Sequence, residues 1–292
     1  MRPWSLLFTL YGDPIRYYGG EVPISGLIRL MAEFGFTEGA VRAAVHRMSQ
    51  QGWLTSRREA RASYYSLSPR GQERIEEAAD RIYAVEGSDW DGKWRLFHYS
   101  IPESHRKIRE KLRKEMAWLG YGTLNGNAWI APFDRLRQVR RLLQQYELEE
   151  HVQMFVADNV GPYSDRELVR KCWPVDEMKA LYEEFIDDFE IRMADARKGT
   201  LSDAQAFVLK TLLVHEYRKF LFVDPGLPDE LLETEWAGRR ASKMFRDWYR
   251  ELNAPAQRFF EAVCGESLPK VETPPFLRDF FDRPVDREGA GR

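Results

Sequence analysis

The stretch TEGAVRAAVHRMSQQGWLTSRREARASYYSL, residues 37–67, decides the fold. Thr37 has the chemistry of a helix N-cap, a hydroxyl that accepts from an otherwise orphan backbone N–H, and Glu38 in the first turn suits the positive end of the helix dipole. Val41, Val45 and Met48 recur at i, i+4 and i+7 with Ala44 beside them, so one face is apolar and packs. The other face carries Arg42, His46 and Gln50, with Arg47 toward one flank. Gly39 and Ala43 also lie there, small enough for the backbone to approach a partner. A helix with this surface suits the DNA major groove, where an alanine methyl contacts a thymine methyl.

The flanks extend the reading. Upstream, Pro23 fits an early helical position, and Leu27, Leu30, Met31 and Phe34 recur at i, i+3, i+4 and i+7. Gly35 closes that helix, and Gly35, Phe36 and Thr37 make the short turn of a helix-turn-helix. Downstream, residues 53–56 and 63–67 are β-prone, and residues 57–62 between them form an exposed basic hairpin. Arg57, Arg58 and Arg61 at such a tip reach phosphate or the minor groove, with Tyr64 on the returning strand. A further helix opens at Ser68 and Pro69. The residues expected at DNA are therefore Thr37, Arg42, His46, Arg47, Gln50, Arg57, Arg58, Arg61 and Tyr64. A solvated amphipathic face is the competing reading. The order of helix, glycine turn, small-and-basic helix and basic hairpin weighs against it, as does the local excess of arginine over Glu38 and Glu59.

At 292 residues, with 43% hydrophobic and 13% aromatic content, the chain can build two or three cored domains. The 44 lysines and arginines nearly balance 46 acids, so the net charge of −2 says nothing about nucleic acid and the information lies in its distribution. Cys172 and Cys264 are far apart and read as free thiols of a reducing compartment. No run approaches a membrane span and no cleavable leader is evident, so a cytoplasmic location is expected.

Residues 4–11 read as a first helix packing Leu6, Leu7 and Leu10, and residues 73–83 continue the helix opened at Ser68. A polar hinge at residues 87–92 marks a boundary. The strand-like KWRLFHYSI (93–101) then leads to a helix at 104–119, strands near 121–124 and 128–131, a helix at 133–146 and a strand at 152–158. That β-α-β-β-α-β order is the ferredoxin-like split βαβ. After Pro162 only helical patterns follow: residues 173–191, a helix behind the Ser202/Gln205 capping box, and two helices near 238–251 and 255–264, before a Pro-, Glu- and Arg-rich tail from Glu266. The expected fold is α+β with three domains: a winged helix-turn-helix (1–87), a ferredoxin-like domain (88–162) and an all-α domain (163–292).

Catalytic and metal chemistry is not evident. His46, His98, His105, His151 and His215 have no ligand spacing with one another or with the cysteines. Gly120, Gly122 and Gly126 miss the phosphate-loop spacing and read as turn glycines. An alternative function comes from CRISPR-associated ribonucleases, which the middle domain also resembles; Ser100 stands where their first strand ends in an aspartate. Arg106, Lys107, Arg109, Lys111, Arg113 and Lys114 make the helix after Ser104 basic, either as a solvated face or as a phosphate contact.

The motifs SLLFTLYGD (5–13), GGE (19–21), AVRAAVHRMSQQGWL and RREARASYYSLSPRG, with HEYRKFLFVDPGLPDELLETEWAG (215–238), resemble the PaaX-type regulators, the phenylacetic-acid-catabolism repressor family. The resemblance covers nearly the whole chain. It implies a homodimeric repressor of a catabolic operon, bound to double-stranded DNA and released by an aryl-acyl coenzyme A thioester such as phenylacetyl coenzyme A. No enzymatic activity or resident cofactor is implied. Cations for the thioester's phosphates and aromatics for its aryl end are available at His215, Tyr217, Arg218 and Lys219 and on the basic helix after Ser104, although helical core is the better reading of any single aromatic.

Overall fold

The computed structural model describes residues 1–60, 62–83 and 90–265. In chain order the elements are α1 (Pro3–Gly12), β1 (Glu21–Pro23), α2 (Ile24–Ala32), α3 (Glu38–Gln50), β2 (Leu54–Glu59), β3 (Ala62–Leu67), α4 (Pro69–Ile82), β4 (Trp94–Tyr99), α5 (Arg106–Trp118), β5 (Gly122–Asn125), β6 (Ala128–Ala131), α6 (Leu136–Tyr146), β7 (Val152–Ala157), α7 (Asp165–Cys172), α8 (Val175–Ala196), α9 (Asp203–Tyr217) and α10 (Ala237–Cys264). The described residues are thus α+β, with helices and two antiparallel sheets. They form two compact units, one from residues 1–83, Phe185–Arg218 and 240–265, the other from 90–184 and Lys219–Arg239. The residues after Pro162 are shared between both units. The expected boundary at Gly87 and the tail from Glu266 lie outside the described residues.

In the first unit α1, α2 and α3 bury the stripes read from their spacing. Leu6, Leu7, Leu10, Leu27, Leu30, Met31, Val41, Val45 and Met48 share one core with Phe207 of α9 and Ala256 and Phe260 of α10. The three-stranded sheet runs β1-β3-β2. Pro23 is not inside α2 but is its N-cap, because it ends β1 opposite Tyr64, where a proline at a sheet edge loses no ladder donor. Phe34 lies past the end of α2, and Gly35 takes the left-handed turn (φ 78°) that leads to Thr37. The expected break between two late helices is absent: α10 runs through Pro255. Tyr249, Leu252, Ala256 and Phe260 are buried along one side on both flanks of the proline, and that burial outweighs the missing backbone bond.

The second unit holds a four-stranded sheet of order β5-β6-β4-β7. Phe97, Tyr99, Trp129 and Val152 pack under Leu112 and Met116 of α5 and Val139 and Leu143 of α6. Gly120 and Gly126 lie in turns as expected, but Gly122 lies in β5, where a Cβ would stand 2.5 Å from the Trp173 ring. Helix α7, not anticipated, opens on a capping box in which Ser164 and Glu167 satisfy each other's backbone donors.

Candidate nucleic-acid interface

Helix α3 is set by its ends. The Thr37 hydroxyl accepts the Ala40 N–H at 3.3 Å, so this residue caps the helix, as its chemistry predicts. With Val41, Ala44, Val45 and Met48 buried, Gly39, Arg42, Ala43, His46, Arg47 and Gln50 are all exposed or half-buried on the opposite side. The apolar stripe thus fixes the polar one, and residues 39, 43, 46, 47 and 50 form a continuous surface. Arg42 is engaged: its Nε donates to Glu38 Oε1 at 2.7 Å, in a pair with both side chains more than half exposed. Such a pair contributes about 0.3–0.5 kcal/mol and is readily exchanged for a stronger acceptor.

The hairpin is longer than the sequence implies. β2 reaches Glu59 and β3 starts at Ala62, so residues 57–59 are strand and only two residues make the connection. Ala60 there has φ 50°, the left-handed backbone a tight hairpin demands. Arg61 lies outside the described residues. Strand alternation sends Arg57 and Arg58 to opposite faces. Arg57 lies opposite Tyr64, its guanidinium 4.9 Å from that ring. It donates to Glu21 at 2.6 and 3.3 Å and to Glu59 at 2.6 Å, bonds that push its pKa further above the ordinary guanidinium value. Its charge is therefore largely answered within the protein, which the sequence reading did not see because Glu21 belongs to a separate strand. Arg58 and Arg47 are exposed, and among the described residues no carboxylate lies against either. Arg70 covers the Trp53 ring at 4.2 Å.

The residues proposed for an effector stand at the end of α9. His215 is buried with Nδ1 2.8 Å from the Thr9 hydroxyl. Arg218 donates to the Ser5 carbonyl at 2.8 Å and the Ser5 hydroxyl at 2.6 Å, and burial lowers its pKa to about 10. Both thus reach one side of α1, at positions four residues apart. Tyr217 stacks on Phe245 at 4.2 Å. Nearby, Asp13 and Lys210 form a buried ion pair at 2.8 Å. Asp13 also accepts from Tyr83 at 3.0 Å and Tyr249 at 2.5 Å. Burial raises the pKa of both tyrosines, as does the adjacent carboxylate, so they stay donors.

Three family models match in sequence: PaaX-like protein over residues 2–71, PaaX protein central Cas2-like domain over 87–169, and PaaX-like protein C-terminal domain over 173–262. The chain belongs to the PaaX family. It is 34% identical over 269 residues to Transcriptional repressor PaaX of Escherichia coli strain K12, an alignment spanning 90% of this chain and 84% of that protein. A solved structure, uncharacterized protein Rv0674 from Mycobacterium tuberculosis, is similar in fold with a TM-score of 0.51 and 24% identity, over 82% of this chain and 90% of the other. PaaX-family proteins are regulators of transcription and not enzymes.

Within this PaaX-family chain, Asp13 and Lys210 are what sequence reasoning missed. Asp13 reads locally as a helix stop, and nothing in the α9 pattern marks Lys210 as an inward lysine. Among the described residues no group of three His, Cys, Asp or Glu side chains is placed to hold a metal ion, and no helix is long and apolar enough to cross a membrane.

Proposed function

We propose that the chain is a DNA-binding transcriptional repressor of a phenylacetate-type catabolic operon, with α3 as recognition helix and the β2–β3 hairpin as wing. The observation that carries this is the outward face of α3, where small residues alternate with Arg42, His46, Arg47 and Gln50 above a fully buried apolar stripe. The order α1-β1-α2-α3-β2-β3 with sheet order β1-β3-β2 supports the winged helix-turn-helix reading. The antiparallel order β5-β6-β4-β7, with α5 and α6 packed on one core, supports a ferredoxin-like middle domain. The E. coli relative's name, Transcriptional repressor PaaX, supports the direction of regulation.

The repressor acts as a homodimer and leaves DNA when an aryl-acyl coenzyme A binds. Self-association is supported by β7, an edge strand that leaves Phe155 51% and Val156 58% exposed. The effector reading draws on the family resemblance, and its binding must favour one dimer geometry to move operator affinity. The ribonuclease alternative lacks its carboxylate, since Ser100 follows β4 as an exposed residue whose N–H donates to His151 O at 2.8 Å.

A mobility shift on the upstream region of its own operon, with phenylacetyl coenzyme A, phenylacetate or coenzyme A added, tests the proposal. Retention on that fragment and release by the thioester alone are expected. Absence of a shift on any duplex removes the repressor reading, and equal behaviour with all three compounds removes the effector.

A further inference from the structure

The second unit carries a cationic layer for which the operator reading has no use. Between Ser104 and Tyr146 the sequence holds ten lysines and arginines against three acids, although the net charge of the whole chain is only −2. On α6, Arg137, Arg140, Arg141 and Gln144 fall at i, i+3, i+4 and i+7, and all are exposed because Val139 and Leu143 hold the opposite stripe in the core. They line an open groove of about 740 Å³, whose one acid among the lining residues, Asp134, accepts the Leu136 N–H at 2.9 Å. On α5, Lys107, Lys111 and Lys114 repeat at i, i+4 and i+7, also outside the stripe of buried Leu112 and Met116. The two helices pack against each other over one sheet core, so both stripes belong to one layer.

The layer concentrates cations without carboxylate partners. Some exposed arginines elsewhere are paired, Arg192 with Asp188 at 2.8 Å, Arg197 with Glu251 at 2.6 Å and Arg258 with Asp203 at 2.6 Å, and exposed ones without such a partner, such as Arg166 and Arg240, do not cluster on one helix face. Among the described residues no carboxylate lies against Lys107, Lys111, Lys114, Arg137 or Arg140, whereas Glu103 takes Arg106 at 3.9 Å and Arg109 at 3.0 Å. Among the described residues of α3 and the hairpin the same holds for Arg47 and Arg58, since Arg42 and Arg57 are paired. Lys107, Lys111, Lys114, Arg137 and Arg140 are like charges without a carboxylate against them, and a polyanion relieves their mutual repulsion.

We infer that the α5–α6 layer is a second DNA-binding surface, which holds the phosphate backbone of duplex outside the segment read by α3 and reads no sequence itself. Each stripe covers seven or eight residues of helix, about 10 Å, a length that meets successive phosphates of a strand. The α6 groove is open, and its lining offers one apolar side chain, Leu136, in place of the slot that the adenine of a coenzyme would require. The inference rests on the repressor reading.

The test compares the full chain with a Lys107→Ala/Lys111→Ala/Arg137→Ala/Arg140→Ala variant, and with the matching set in which the lysines become arginine and the arginines lysine. Affinity is measured for random-sequence duplexes of about 20 and about 60 base pairs and for the upstream fragment, as a function of salt; duplex lengths are chosen below and well above a two-half-site operator. The alanine variant is expected to bind the long duplex at least tenfold more weakly, with its log Kd–log salt slope reduced by about 0.9 for each phosphate it no longer neutralises. Its preference for the upstream fragment over random duplex stays as in the native chain, and the charge-preserving set behaves as the native chain. Native affinity and slope in the alanine variant overturn the inference while leaving the repressor intact. If the native chain binds no duplex, the repressor reading falls first. Loss of calorimetric binding to coenzyme A in the alanine variant, with DNA affinity unmoved, overturns it in favour of a coenzyme anchor.

Discussion

Asp13 ends α1 and then accepts from Lys210, Tyr83 and Tyr249, so one buried carboxylate ties the first helix to α9, α10 and the end of α4. Taking away one partner of a buried pair strands the other charge, so Asp13→Ala should lose about 3–5 kcal/mol of unfolding free energy, whereas Asp13→Ala with Lys210→Met should regain much of it. Urea melts of the two variants decide this; equal losses in both would remove the role of the pair. Cysteine chemistry gives a second expectation. Burial pushes the Cys172 thiol up to about 11 and the Cys264 thiol to about 12, so neither should react with a disulfide reagent at neutral pH until the chain is unfolded. A third concerns pH. Hydrogen bonds from Arg95 at 2.6 and 2.7 Å hold the Asp91 pKa at about 2, below the ordinary 3.8. A carboxylate depressed in the folded state stabilises above its unfolded pKa and loses that contribution as pH falls toward the folded one. Asp91→Asn should therefore be less stable than the native chain near neutrality, with the difference closing between pH about 4 and about 2. At this scale the sequence is legible where a residue acts on its neighbours, as Thr37 does on Ala40. It is silent on Asp13 and Lys210, and on Glu21 and Arg57, whose partners come from other elements.

Periodicity made several elements readable: Leu27, Leu30 and Met31 of α2 and the stripe of α3 are buried as spaced, and the Ser202/Gln205 capping box lies at a helix start, whereas the Ser164/Glu167 box went unread. The errors occur where packing overrides a local signal. Pro255 reads as a break, yet α10 continues because its buried side chains lie on both flanks. The run RREARA reads as a loop, yet the β3 ladder draws Arg57, Arg58 and Glu59 into strand. Gly122 reads as a turn glycine, but the Trp173 ring occupies the space of its side chain. Gly122→Ala should overpack that site and destabilise by about 1–3 kcal/mol, measurable as a lowered denaturation midpoint; an unchanged midpoint would mean the ring is free to move. Loss of the α3 cap in Thr37→Ala should lower stability by about 1 kcal/mol.

For the whole molecule the balance of 44 basic and 46 acidic side chains hides an uneven distribution, with one cationic face on α3 and the hairpin and another on α5 and α6. The assignment of α3 to the groove is the central claim, and its clearest test is the ratio of affinities for the operon's upstream fragment and for random duplex. On the proposed assignment, in which its guanidinium exchanges Glu38 for a base edge, Arg42→Ala should lower that ratio by a factor equivalent to about 1–3 kcal/mol, while Arg58→Ala should weaken both duplexes alike and reduce the salt slope by about one. An Arg42→Ala protein that keeps the native ratio would contradict the account, since the outward face of α3 would then not be what reads the DNA.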